Sequence, residues 1–176
     1  FRAPILLPDF EAALTANPDL HIVIVTKPVS PMDGAKKWTV VMDEEMRKLA
    51  GDRYLLLQLK VFDGPGTADG ASGPVLQPMD VHTKLVFVDD LYMTVGSANK
   101  NNRGFLFEGE MNAVVLSQAF VSQQRSRVLA NIAGNGLDWN QASGKEILQH
   151  LATLATDNHA IELDIDNGIN PEITPT

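Results

Sequence analysis

Apolar residues recur along this chain in two rhythms. Leu20 to Thr26 (LHIVIVT) and Tyr54 to Phe62 (YLLLQLKVF) are nearly continuous apolar runs, the pattern of strands covered on both faces. Between them, residues 34–50 have helical spacing, with Trp38, Val41, Met42, Met46 and Leu49 close to one face. An earlier helix is predicted from Phe10 to Ala16, with Pro8 in its first turn and Asn17-Pro18 as its stop. Downstream, Val81 to Val88 and Tyr92 to Val95 read as two short strands joined through Asp89-Asp90, and Met111 to Leu116 as another. Helices are predicted at 118–133, ending at Gly134, and near 144–156. Strands alternating with helices predict an α/β domain: a mixed central sheet flanked by helices.

One stretch breaks the rhythm. Residues 63–80 (DGPGTADGASGPVLQPMD) carry four Gly and three Pro, and read as a long loop that runs directly into Val81-His82. It is expected to form a flap at the mouth of whatever site lies there, with Val75, Leu76 and Met79 offering apolar contact. The segment from Asp157, with Pro171 and Pro175, reads as a peripheral acidic tail, and no internal repeat is visible.

Charge narrows the partners. Fourteen Lys and Arg face 22 Asp and Glu, a net −8, and the densest basic cluster is Lys36-Lys37. Proteins that bind nucleic acid gather cations into a stripe against phosphates, so no nucleic-acid partner is expected. No apolar run reaches the ~18 to 20 residues of a bilayer span, so any membrane contact is expected to be peripheral. The absence of cysteine excludes disulfides, thiolate catalysis and cysteine-ligated zinc within the chain, and leaves the compartment undecided. Phe1 is not an initiator Met, and a longer precursor is expected.

The chemistry concentrates between Val81 and Glu110. His82-x-Lys84 is followed after four residues by Asp89, and after six more by Gly96-Ser97-Ala98-Asn99. On a strand, positions two apart share a face, so His82 and Lys84 are expected to project together. Gly96 would let a phosphate approach the backbone, with Ser97 and Asn99 as donors. An imidazole, a fixed cation and neutral donors around one pocket suit a phosphodiester, whose anion needs neutralisation and whose cleavage needs a nucleophile or proton donor.

This spacing resembles the HxKxxxxDx6GSxN signature of the phospholipase D superfamily, matched at every fixed position. Gly96 to Arg103 (GSANKNNR) is similar to the GSANxNxR run of lipid-cleaving members, and Phe1 looks like the last residue of the IENQYF-like strand that precedes their C-terminal half. The resemblance covers roughly residues 1–135, which would form a C-terminal catalytic half-domain, one half of the pseudo-twofold phospholipase D fold. Residues 136–176 would add a helix and an acidic tail.

In that family two such motifs meet, one histidine attacking phosphorus to form a phosphohistidine and the other acting as general acid and base. The resemblance implies a phospholipase D: hydrolysis of a phospholipid headgroup ester, with transfer to another alcohol as a variant, and no cofactor or metal. It implies catalytic roles for His82, Lys84, Glu110 and Asp89, and phosphate binding by Lys84, Ser97 and Asn99. His82 would be the general acid and base, with the attacking histidine on a companion N-terminal half that also carries the strand before Phe1. Glu110 would orient the imidazole, Glu108 being its alternative. For Asp89 a structural ion pair is favoured over direct chemistry.

His21, His150 and His159 have no motif around them and read as non-catalytic. Asp164-x-Asp166-x-Gly168 misses the spacing of a calcium loop. The methionines, including Met42, Met46 and Met111, read as core filling. Two other functions stay open: a single-motif nuclease of the same superfamily that pairs as a homodimer, and a non-catalytic interaction module with a decayed site. Secretion or delivery to a membrane compartment is the favoured location.

Overall fold

A computed structural model of the chain describes residues 2–27, 36–65, 74–156 and 161–163. The elements in order are α1 (Leu7–Ala16), β1 (Ile22–Thr26), α2 (Lys36–Ala50), β2 (Tyr54–Pro65), β3 (Pro74–Pro78), β4 (Lys84–Val88), β5 (Tyr92–Gly96), α3 (Asn102–Leu106), β6 (Asn112–Val115), α4 (Gln118–Ala133), α5 (Gly144–Thr156) and β7 (Ile161–Leu163). The architecture is mixed α/β, as the alternating pattern predicts.

Strand β2 organises the core. Tyr54 to Gln58 are all buried, because helices cover both faces. Side-chain alternation divides the strand between two clusters. Tyr54 and Leu56 pack with Leu14, Met42 and Met46 from α1 and α2. Leu55 and Leu57 pack with Trp139, Leu148 and Leu151. Strand β1 runs parallel to β2, pairing Ile22 with Tyr54 through Thr26 with Gln58, and divides the same way: Ile22 and Ile24 to the first cluster, Val23 and Val25 to the second. Helix α5 and Trp139 thus belong to the core, where the indole N–H donates to the Gly134 carbonyl at 2.8 Å.

The strands form two sheets rather than one. Strands β1, β2, β3 and β7 make a mixed sheet, with β2 parallel to β1 and antiparallel to β3 and β7. Strands β4, β5 and β6 make a separate antiparallel sheet in sequence order. Local hydrophobicity selects strands; which strand joins which edge depends on connections that run outside each segment.

Other expectations are corrected. Part of the long loop is strand: β2 continues to Pro65 and pairs antiparallel with β3, and the Met79 N–H donates to the Leu59 carbonyl at 2.9 Å. Only residues 66–73 of the expected flap lie outside the described residues, and Met79 is partly exposed. On α2 the buried face is Thr39, Met42, Asp43, Met46 and Ala50, while Trp38 and Val41 are exposed. Asp43 is buried because Arg47 neutralises it at 2.8 Å one turn on, so a polar residue holds a core position that an apolar count assigns elsewhere. Trp38 instead lies beside the Lys37 ammonium, 5.1 Å from the ring centroid. Met42, Met46 and Met93 are core residues, but Met111 is 82% exposed. The peripheral tail contributes strand β7 against β2; the Asp164-x-Asp166-x-Gly168 segment and His159 lie outside the described residues.

Candidate active site

The three-stranded sheet gathers the motif at one end. Its strands alternate in direction, so the start of β4, the end of β5 and the start of β6 coincide. The register makes this concrete: Lys84 pairs with Gly96, and Gly96 with Asn112. Residues 82–84, 96–99 and 110–112 therefore converge, although they are spread over 31 positions of sequence. Directly paired residues share a face, so Lys84 projects on the side of Asn112.

His82 lies before the strand, in an exposed segment between β3 and β4, so strand alternation does not align it with Lys84. The two are joined differently. The Lys84 ammonium donates to the His82 carbonyl at 2.7 Å, a contact that holds the histidine backbone and leaves two of the three N–H donors for an anion.

Asn99 is exposed in a turn that the following residues build. The Asn101 N–H donates to the Asn99 carbonyl at 2.8 Å, and the Asn101 side chain caps α3 by accepting from Gly104 N–H at 2.8 Å. Gly104 is required there: a Cβ would stand 2.3 Å from the Asn99 carbonyl oxygen. The main chain of Arg2 fastens the turn from outside, its N–H donating to the Lys100 carbonyl at 2.8 Å and its carbonyl accepting from Asn102 N–H at 3.3 Å. Lys100 is a second cation of this turn that its spacing did not mark. Burial lowers its pKa below the ordinary lysine value, and the ammonium donates to the Ala98 carbonyl at 3.3 Å.

Gly96 and Ser97 both lie against the approach to β6. The Cβ direction at Gly96 is filled by protein: a Cβ would meet the Met111 carbonyl oxygen at 2.2 Å and Asn112 Oδ1 at 2.3 Å. Ser97 is bound to the same peptide. Its N–H donates to the Met111 carbonyl at 3.0 Å, and its Oγ accepts from the Met111 N–H at 3.0 Å.

The carboxylates sort cleanly. Glu108, the alternative to Glu110, pairs with the exposed Arg103 at 2.7 Å. Glu110 is half-buried in the segment leading to β6, and its carboxylate has no ion pair or hydrogen bond among the described residues. Asp89 occupies the β4–β5 turn with φ +50°, a left-handed conformation that Asp tolerates better than most residues. The structural ion pair expected of Asp89 belongs to its neighbour: Arg125 of α4 donates to Asp90 at 2.8 Å, and the pair is largely buried on the arginine side. His21 and His150 are engaged elsewhere, His21 against the Asp19 carbonyl at 2.8 Å and His150 edge-on to Trp139.

Residues 60–131, about two-fifths of the chain, match the family described as "Cardiolipin synthase, PLD-like domain". The match spans β4, β5, β6 and most of α4, and contains His82, Lys84, Asp89, Ser97, Asn99 and Glu110. No curated protein matches the chain. The segment that carries the motif is thus similar to a phospholipase D-like domain.

Proposed function

We propose that this chain supplies the His82 half-site of a phospholipase D-type enzyme that cleaves the headgroup ester of phospholipids. The observation that carries the reading is the convergence of His82, Lys84, Asn99 and Glu110 at one end of the β4–β5–β6 sheet. The Lys84 ammonium and the Asn99 amide suit the non-bridging oxygens of a phosphodiester. His82 acts as general acid and base, and Glu110 is the free carboxylate that can orient its imidazole.

The reaction needs a second imidazole, which we assign to a companion N-terminal half carrying a second HxKxxxxD motif. That histidine attacks phosphorus, the bond from phosphorus to the headgroup oxygen breaks, and His82 in its protonated form gives its proton to the leaving alkoxide. Neutral His82 then takes a proton from water, whose oxygen attacks the phosphohistidine and breaks its P–N bond, releasing phosphatidic acid. An alcohol in place of water gives phosphatidyl transfer, the outcome to which the description "cardiolipin synthase" of the matching family points.

The test is choline release from phosphatidylcholine vesicles by the full chain with whatever co-purifies with it. Phosphatidyl transfer is read in the same samples after adding a primary alcohol. Release is expected, with His82→Ala and Lys84→Ala each costing ~10² to 10⁴-fold while the fold persists. Near-normal turnover in His82→Ala overturns the assignment. Cleavage of single-stranded DNA with no action on lipid, by a symmetric dimer of 19.2 kDa chains, supports the nuclease instead. The net charge of −8 argues against that outcome.

A further inference from the structure

We infer that Ser97 is a positioning residue that clasps the entry to β6 and so sets Glu110, rather than a ligand of the phosphate. The inference rests on the phospholipase D reading of the site and deepens it.

Its basis is how completely the Met111 peptide is held. The Ser97 N–H donates to the Met111 carbonyl at 3.0 Å, and the Met111 N–H donates back to Ser97 Oγ at 3.0 Å. The Ser97 hydroxyl proton points to the same carbonyl in a longer contact of 3.4 Å. Gly96 closes the remaining side, because its Cα approaches so near the Met111 carbonyl that a side chain has no room. A serine hydroxyl has one proton and two lone pairs. Here the proton and one lone pair serve Met111, and the lone pair that remains would repel a phosphate oxygen.

The residue that gains from this clasp is Glu110. Its carboxylate has no hydrogen bond or ion pair among the described residues, so its position follows from its backbone, which continues directly into the clasped Met111. The Met111 side chain is 82% exposed and anchors nothing by packing. Glu108, the other carboxylate of the segment, is drawn away by Arg103. Ser97 therefore acts on the imidazole through Glu110, whereas Lys84 and Asn99 are left to meet the phosphate.

Three measurements on Ser97→Ala, Ser97→Thr, Glu110→Gln and the Ser97→Ala/Glu110→Gln double variant test this. First, amide hydrogen exchange at Met111 should quicken about fivefold in Ser97→Ala, the loss of one ordinary hydrogen bond, and return toward wild type in Ser97→Thr. Second, affinity for inorganic phosphate should stay within about twofold in Ser97→Ala, against about tenfold weakening in Lys84→Ala. Third, the pH profile of kcat should move in the same direction in Ser97→Ala as in Glu110→Gln, and the double variant should be no slower than Glu110→Gln alone. Unchanged Met111 exchange in Ser97→Ala overturns the clasp by itself. Phosphate affinity falling about tenfold in Ser97→Ala overturns the positioning role and restores Ser97 as a ligand. Exchange needs neither turnover nor ligand, so a chain without phospholipase activity refutes the function proposed above while the clasp is still decided.

Discussion

Substituting Gly96 by alanine is the most direct test of how the site end of the sheet is built. The new Cβ would stand 2.2 Å from the Met111 carbonyl oxygen, 2.3 Å from Asn112 Oδ1 and 2.6 Å from Asn112 Cα. Nonbonded carbon and oxygen atoms need roughly 3.3 Å, so the entry to β6 must retreat by about 1 Å. Two of the three close atoms are backbone, and no rotamer change relieves them. A retreat of that size stretches the two 3.0 Å bonds between Ser97 and Met111 beyond useful length. Their loss costs about 1 kcal/mol each, and the forced displacement adds about 1 to 3 kcal/mol. The sum, about 3 to 5 kcal/mol, is a large part of the roughly 5 to 15 kcal/mol that holds a domain together. Urea unfolding of Gly96→Ala should show a midpoint lowered accordingly, with the slope against urea unchanged. Gly109, on the same approach to β6, has nothing within 4 Å of a built Cβ, and its alanine variant should fall within about 0.5 kcal/mol of wild type. A Gly96→Ala protein less than about 1 kcal/mol weaker than wild type, or a Gly109→Ala protein equally damaged, would refute the packing argument.

Two further perturbations separate neighbours that the sequence makes look alike. At the β4–β5 turn, Asp89→Ala should destabilise by about 1 kcal/mol and Asp89→Gly should recover it, because φ is +50° there; complete inactivity of a folded Asp89→Gly enzyme would instead place Asp89 in the chemistry. Asp90→Asn should cost about 1 to 2 kcal/mol in thermal or urea unfolding, between the values for exposed and buried pairs, because Arg125 is mostly buried and Asp90 partly so. At the start of α5, Ser143 N–H and then its hydroxyl bond to Glu146 and hold its carboxyl below the ordinary value. That contribution to stability is present above the ordinary carboxylate range and disappears as pH falls through the lowered value, so a series of thermal melts into acid should lose a pH-dependent step in Glu146→Gln.

Helices were the most legible elements because their signals are local. Helices α4 and α5 occupy the residues expected of them, α4 ending before Gly134. The five-residue α3 is too short for periodicity, although Asn101 before it is an ordinary capping residue that accepts from Gly104 three positions on. Strand β3 was hidden for another reason: Pro74 and Pro78 bound it, and proline argues against a strand unless the strand lies at an edge or ends there. The division into two sheets could not be read at all, because β1 and β4 carry similar apolar runs and nothing within either run names its partner.

Within the candidate site, spacing marked residues that the sheet register draws to one end, and it did not show which of them support the backbone. A motif written as a string treats each fixed residue as a candidate ligand. The fold shows that some fixed residues hold others in place. Gly96 admits the Met111 carbonyl, and Gly104 admits the Asn99 carbonyl. Asp89 turns the chain, and the ion pair falls to Asp90. Close approach and left-handed backbone fix a residue type as strictly as catalysis does, since a Cβ at 2.2 Å is no more tolerable than a missing imidazole. The two kinds of constraint part only under substitution. A supporting residue yields to any replacement that keeps the backbone geometry, as glycine should at Asp89, whereas a proton-transferring imidazole, the role proposed for His82, has no substitute of equal shape without its proton chemistry.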